Sequence, residues 1–227
     1  MFTSTALHRH IDAMVGALRK GGFTVHLSND PEAYKHRVAQ VPGYSLTSPL
    51  DTAFVDVSDR FLWIEVRKDA TPICIEVGRY LWAPRMFGGL NRLLKNREFF
   101  GTKRQVLPVL SRAPAINLSG RLGYMGGGFV EAAYRDQGIM SIVAQLTMAH
   151  LLRCFNVDHV FGLVRANHIG RSLQRKGYGF TSATTLSWAY WGDSAGPETL
   201  GFVHADRQAL LDRLDETPDY ALIKTTT

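Results

Sequence analysis

The sequence predicts an α/β protein, and three observations carry that expectation. Two alternating apolar runs, 61–67 and 73–77, read as a β-hairpin. A further strand-like run, 122–130, is interrupted by three consecutive glycines. The segment 139–155 carries an apolar stripe at helical spacing, and a short apolar strand follows at 160–164. With 227 residues, 45% hydrophobic and 20% charged, the chain can bury a sizeable core. One domain over 1–227 is expected, with an N-terminal helix in 1–22, a basic insertion in 81–118 and a core in 120–180.

Residues 5–20 place Leu7, Ile11, Met14, Val15 and Leu18 on one helical face, and Gly21-Gly22 stops the helix. A second short helix is expected near Asp30-Pro31, because Asp caps and Pro suits a first turn. Residues 41–52 are turn-rich, with Pro42-Gly43 and Pro49. In the hairpin, Leu62, Ile64 and Val66 share one face, as do Ile73, Ile75 and Val77. Glu65 and Glu76 then fall on the opposite faces, in a polar cleft or in solvent. Leu90, Leu93 and Leu94 mark a short basic helix. Beyond 164, a helix running to Gly177, a strand over 184–191 and an amphipathic helix over 205–216 complete the pattern, the last with Leu210, Leu211 and Leu214 inward.

Net charge is +6, unevenly distributed. Residues 193–227 hold seven acids and three bases, which leaves residues 1–192 at +10; residues 81–118 alone hold seven bases and one acid. Such a body suits a polyanion or simply a solvated basic surface: nucleic acid, an anionic membrane and a phosphorylated cofactor all fit. No helix-turn-helix or zinc module is visible, so nucleic acid is disfavoured as a partner. No apolar run reaches a transmembrane length. Residues 1–14 have neither an h-region nor a small-residue cleavage site, so a cytoplasmic location is expected. Cys74 and Cys154 read as two buried thiols, neither at metal-ligand spacing, and no metal is expected.

The segment 129–141 (FVEAAYRDQGIMS) reads as strand end, tight loop and helix start. The first amides of a helix lack intrahelical acceptors and, with the helix dipole, attract an anion. Gly138 admits a phosphate to the backbone, and Arg135 adds charge at the rim. An ordinary strand–helix turn is the alternative.

Tyr134-Arg135-Asp136-Gln137-Gly138-Ile139 resembles the acyl-CoA-binding motif of the GCN5-related N-acetyltransferases (GNAT), Gln/Arg-x-x-Gly-x-Gly/Ala after a strand and opening a helix. Residues 160–180 (VFGLVRANHIGRSLQRKGYGF) resemble that family's later strand, helix-capping Asn and closing Gly-aromatic pair. The resemblance covers 120–180, and the hairpin fits the family's second and third strands. It implies a mixed, mostly antiparallel central sheet flanked by helices, with a V-shaped splay at the acyl-CoA site. It further implies acetyl-CoA or another acyl-CoA as co-substrate. The backbone of Phe129 and Val130 would hold the pantetheine, and the amides of Arg135, Asp136, Gln137, Gly138, Ile139, Met140 and Ser141 the pyrophosphate. Asn167, Gly170 and Arg171 would line the other wall. Arg175 or Lys176 would reach the 3′-phosphate, unless both are surface charges.

Two departures stand out. Met140 occupies the last small-residue position of the motif. Where the family often has a Tyr serving as acid to the departing thiolate, this chain has Gln174. Tyr178 stands four residues on; Tyr124 and Tyr134 are further candidates, and each could equally be a packing residue. Glu131, nearest the cofactor strand, is the candidate general base or else a surface acid; Glu65 and Glu76 are further carboxylates. His150 and His159 read as structural. Trp63, Trp82, Trp188 and Trp191 line an apolar acceptor site or pack the core.

The resemblance implies an N-acyltransferase, most simply moving acetyl from acetyl-CoA to a primary amine on a small molecule or peptide by direct attack. Its relatives include long-chain N-acyltransferases of the N-acyl amino acid synthase kind, which use an acyl-carrier protein, and the basic segment 81–118 suits an acidic carrier of that kind. A non-catalytic acyl-CoA-binding module is the other alternative. A homodimer is compatible with all three.

Overall fold

A computed structural model describes residues 4–44, 46, 48–51, 60–95, 99, 117–173, 177–185, 189, 190, 197, 198 and 200–213. The expectations for Gln174, Arg175, Lys176, Trp188, Trp191, Leu214 and most of the basic segment lie outside these residues.

The N-terminal helix α1 (Ser4–Lys20) buries Ile11, Met14 and Leu18, the predicted stripe. A short edge strand, β1 (Thr24–Ser28), follows. Helix α2 (Pro31–Ala39) begins as its sequence predicts, for the Asp30 carboxylate accepts from the amides of Glu32 and Ala33 and Pro31 stands in the first turn. The hairpin is β2 (Phe61–Lys68) and β3 (Thr71–Ala83). After a 3-10 turn at Arg85–Phe87 comes α3 (Gly89–Lys95), whose Leu90, Leu93 and Leu94 are buried. Then follow β4 (Gly120–Val130), α4 (Ile139–Phe155), β5 (His159–Arg165) and α5 (Ile169–Leu173). The chain closes with β6 (Ser182–Thr185), β7 (Ala189–Tyr190), β8 (Pro197–Glu198), β9 (Leu200–Asp206) and α6 (Arg207–Asp212).

Seven strands form one sheet in the order β1-β2-β3-β4-β5-β9-β6, and every neighbouring pair is antiparallel except β4 with β5. Helices α1 and α4 cover one face through Met14, Leu18, Val143 and Leu146, packed on Ile64 and Val66. On the other face, α2 and α3 lie over Phe61, Trp63, Ile75 and Val77. With both faces covered, residues on either side of the alternating strands are buried.

That double cover corrects the hairpin reading. Ile73 does not share a face with Ile75 and Val77; it packs with α1 and α4. The register shifts by one residue there, Val66 pairing with Cys74 and Arg67 with Pro72. Trp63 is core, its indole N–H donating to the Asp30 carbonyl, whereas Trp82 is exposed. Cys74 is buried but Cys154 is exposed, because the last turn of α4 turns that side chain away from the sheet. The strand β9 was missed in sequence; Gly201 is required in it because a Cβ would collide with the Ile169 side chain of α5.

The start of the parallel pair is clamped. The Arg121 guanidinium grips Asp158 with Nη2 to Oδ1 at 2.7 Å and Nε to Oδ2 at 3.2 Å, and the Arg121 amide donates to Oδ2 at 2.9 Å. No helix among the described residues is long and apolar enough to cross a membrane.

Candidate functional site

The parallel ladder between β4 and β5 joins only Leu122–Met125 to His159–Gly162. Beyond it β4 runs on to Val130 paired with β3 alone, and β5 runs on to Arg165 paired with β9 alone. A V-shaped opening therefore begins after Met125 and Gly162.

The wall of this opening on the β4 side is built by its glycines. Ile75 pairs with Phe129 and Val77 with Gly126, so the single residue Glu76 faces two, Gly127 and Gly128. This is a β-bulge, and Gly127 takes φ +64°, which an L side chain rarely adopts. A Cβ on Gly127 would lie 2.8 Å from the hydroxyls of Tyr34 and Tyr44. The Tyr44 hydroxyl donates to the Gly127 carbonyl, and its oxygen is 3.0 Å from that of Tyr34. A Cβ on Gly128 would sit 2.7 Å from Oε2 of Glu76 and 3.3 Å from Cε of Met140.

At the mouth, the chain leaves β4 through a 3-10 turn at Ala132–Tyr134 and enters α4 at Gly138, whose φ is +78°. Among the described residues, the amides of Asp136, Gln137, Gly138, Ile139, Met140 and Ser141 donate to no protein acceptor. They form a row of free donors at the positive end of a 17-residue helix. The Arg135 amide is not in that row, because it donates to the Ala132 carbonyl. Its Nε donates to the Val130 carbonyl at 3.2 Å, which fixes the loop and occupies that strand oxygen. The Gln137 side chain is buried and donates to the Ala133 carbonyl. Met140 causes no obstruction, since its thioether turns in towards Gly128 rather than across the amides.

Across the opening, Gly170 faces open space. Arg171 pairs with Asp136 at 2.8 Å, a bond from α5 to the loop before α4 that the sequence did not disclose. Asn167 is exposed within a 3-10 turn, Ala166–His168, that precedes α5, and that turn has no side-chain cap. The expected capping bond is thus absent: Asn167 sits within the turn itself, with His168 between it and the start of α5.

The candidate acids and bases separate clearly. Tyr124 is fully buried, edge-on to Phe99 at 4.8 Å, and Tyr134 packs against Phe23 of the α1 layer. Tyr178 lies beside Arg171 and within the field of Glu76; burial, then Glu76, pushes its hydroxyl up while Arg171 opposes the shift. It therefore stays a proton donor at neutral pH. Glu131 is half-buried at the end of β4, with its amide donating to the Ile73 carbonyl. Glu65 is fully buried under α2, with Oε1 2.7 Å from Arg37 Nε and Oε2 accepting from Arg67 Nε at 2.6 Å. It lies neither in a cleft nor in solvent; Oε2 accepts a hydrogen bond from Arg67, and Oε1 is ion-paired with Arg37 without a hydrogen bond of its own. Glu76 is 6% exposed and has no hydrogen bond or ion pair among the described residues. Burial pushes its carboxyl well above the usual carboxylate range. His150 is buried and His159 half-buried, both on core elements. No group of three His, Cys, Asp or Glu side chains among the described residues is placed to hold a metal.

Comparison with solved structures decides what this architecture is. The chain is similar to Arabidopsis thaliana NAA60 in complex with acetyl-CoA, with a TM-score of 0.50 and 12% identity, over 82% of this chain and 99% of that one. The chain has the GNAT fold. Weaker likenesses include an acetyltransferase of the GNAT family from Streptococcus pneumoniae (TM-score 0.46, 9% identity, 81% of this chain and 99% of that one). Another is the ribosomal-protein-S18-alanine N-acetyltransferase from Escherichia coli (TM-score 0.45, 13% identity, 86% and 97%). No protein-family model and no curated protein sequence matches the chain. The mixed, mostly antiparallel sheet with its splay is the one the resemblance implies.

Proposed function

We propose that this chain is an acyl-CoA-dependent N-acyltransferase, most simply one that moves acetyl from acetyl-CoA to a primary amine. One observation carries the reading: the ladder between β4 and β5 stops at Met125 and Gly162, beside a helix that opens on Gly138 with a row of free amides. A strand edge and an anion-binding helix start stand side by side, as an extended pantetheine arm ending in a pyrophosphate requires.

In this reading the amides from Asp136 to Ser141 hold the pyrophosphate. The β4 edge at Phe129 and Val130 receives the pantetheine. Asn167, Gly170 and Arg171 form the opposite wall. The bound co-substrate supplies an activated carbonyl, and the protein's part is chiefly to position that carbonyl and the amine together. Tyr178, kept protonated, gives its proton to the departing thiolate. A carboxylate takes the proton from the amine, with Glu131 at the strand end and Glu76 at the bulge as the two available.

Binding is tested by thermal melting. A ligand at one hundred times its Kd stabilises by about 2.7 kcal/mol, an expected rise in Tm of roughly 5–10 °C for a chain this size. Gly138→Glu places a carboxylate where the phosphate would sit and removes the shift. An unchanged melting curve for the native protein at millimolar CoA refutes the reading. CoA binding with no thiol release from acetyl-CoA across a broad panel of amines would leave a binding module without transfer.

A further inference from the structure

We propose that Glu76 is the receptor for the acceptor substrate, a primary ammonium on an apolar stem, and that it takes the proton whose loss makes that nitrogen nucleophilic. The proposal rests on the acyltransferase reading above and adds the chemistry of the acceptor to it.

The geometry sets Glu76 apart. It is the one residue facing the two-residue bulge of β4, at the point where the V opens. Gly128 leaves its carboxyl the space, since any Cβ there would press on Oε2 at 2.7 Å. The hairpin's other buried carboxylate, Glu65, is charge-paired with two arginines, whereas Glu76 has no ion pair or hydrogen bond among the described residues. A buried carboxyl without a partner is costly, and an apolar residue would hold the sheet better. A cation arriving from outside removes the cost.

The titratable groups that feel Glu76 are Cys74 on its own strand, Tyr34 on α2, Tyr44 in the following loop and Tyr178 after α5. From α4 the uncharged Met140 borders the same space at Gly128, its Cε 3.3 Å from where a Cβ there would stand. None of these supplies a positive charge, so the site is built to receive one. On the face that Glu76 shares with its cross-strand partner Ile64, the residues packed from α4 are apolar, Ile139, Met140 and Val143, which suits a hydrocarbon stem behind the ammonium.

The step balances. Binding of the ammonium expels the Glu76 proton to solvent and forms an ion pair. One ammonium proton then passes to the Glu76 carboxylate, and the freed lone pair attacks the thioester carbonyl carbon. The C–S bond breaks, and the thiolate takes the proton that the nitrogen still sheds, by way of Tyr178. One ammonium and one thioester give one amide, one thiol and one proton in solvent.

Isothermal titration of the native protein with phenethylamine and with 2-phenylethanol, with and without CoA, tests this. The ammonium is expected to bind at least tenfold more tightly than the alcohol at pH 8, and Glu76→Gln to abolish that preference while CoA still binds. Equal affinities, absent ammonium binding or a preference that survives in Glu76→Gln overturns the proposal. The native protein alone provides a second measure, for the ammonium affinity rises with pH, by up to about tenfold per unit, while Glu76 is protonated in the free enzyme. A flat profile overturns the proposal even if the variant fails to fold. Loss of CoA binding in the native protein counts against the acyltransferase reading instead, and the two failures are told apart in the same titrations.

Discussion

Glu65 and Glu76 lie on the same hairpin, one residue type in two environments with opposite consequences. Glu65 is wedged between Arg37 and Arg67, each about a quarter exposed. Removing a buried carboxylate from such a cluster leaves two cations facing each other, so Glu65→Ala should lower stability by about 3 kcal/mol in urea unfolding. A loss below about 1 kcal/mol would mean that the arginines are effectively solvated. His150 gives the pH signature at this scale. Burial, with Arg153 nearby, lowers its pKa to about 4, so the folded protein holds it neutral. A depressed histidine gives stability that is complete above its unfolded value near 6.5 and is lost as pH falls towards 4. The native protein should therefore weaken over that window, by on the order of 2 kcal/mol more than His150→Gln. Parallel pH curves for the two would remove His150 as the cause.

At the scale of elements, the strand β4 shows best what the amino-acid pattern discloses. The triple glycine announced a bulge or a close approach, and the bulge is there, but nothing in 122–130 says which side chain faces it. That partner, Glu76, comes from a run that alternates cleanly. Its burial depends on α4 lying across the sheet, a tertiary fact. Helix α4 was readable to its ends because one stripe and one glycine mark it. The strands β1 and β9 were not, because β1 is a short polar edge and β9 carries a glycine demanded by α5. The Asp136–Arg171 pair joins residues 35 apart and leaves no local trace. Gly127→Ala tests the bulge. The left-handed backbone costs about 1–2 kcal/mol and the contacts at Tyr34 and Tyr44 roughly as much again, for an expected loss of about 2–4 kcal/mol. Gly170→Ala, with open space at its Cβ, should be neutral or gain up to about 1 kcal/mol. Equal effects at the two sites would contradict the bulge geometry.

For the whole molecule, the basic bias seen in composition resolves only in part. The mouth of the opening presents backbone amides and few side-chain charges, and Arg135 and Arg171 are both engaged within the protein. The clamp of Arg121 on Asp158 draws attention to a different property of the sheet. The β4–β5 pair is bolted at its origin and unjoined at its far end. Such a pair flexes like a tuning fork, and its backbone should exchange hydrogen for deuterium unevenly. Amides of Leu122–Met125 should exchange slowly, and those of β4 beyond Met125 that point towards the gap quickly. Filling the gap with CoA should slow the second group several-fold and leave the first unchanged. Uniform slowing along the whole of β4 would instead mean that the two strands move as one plate, and that the opening is a fixed slot rather than a spring.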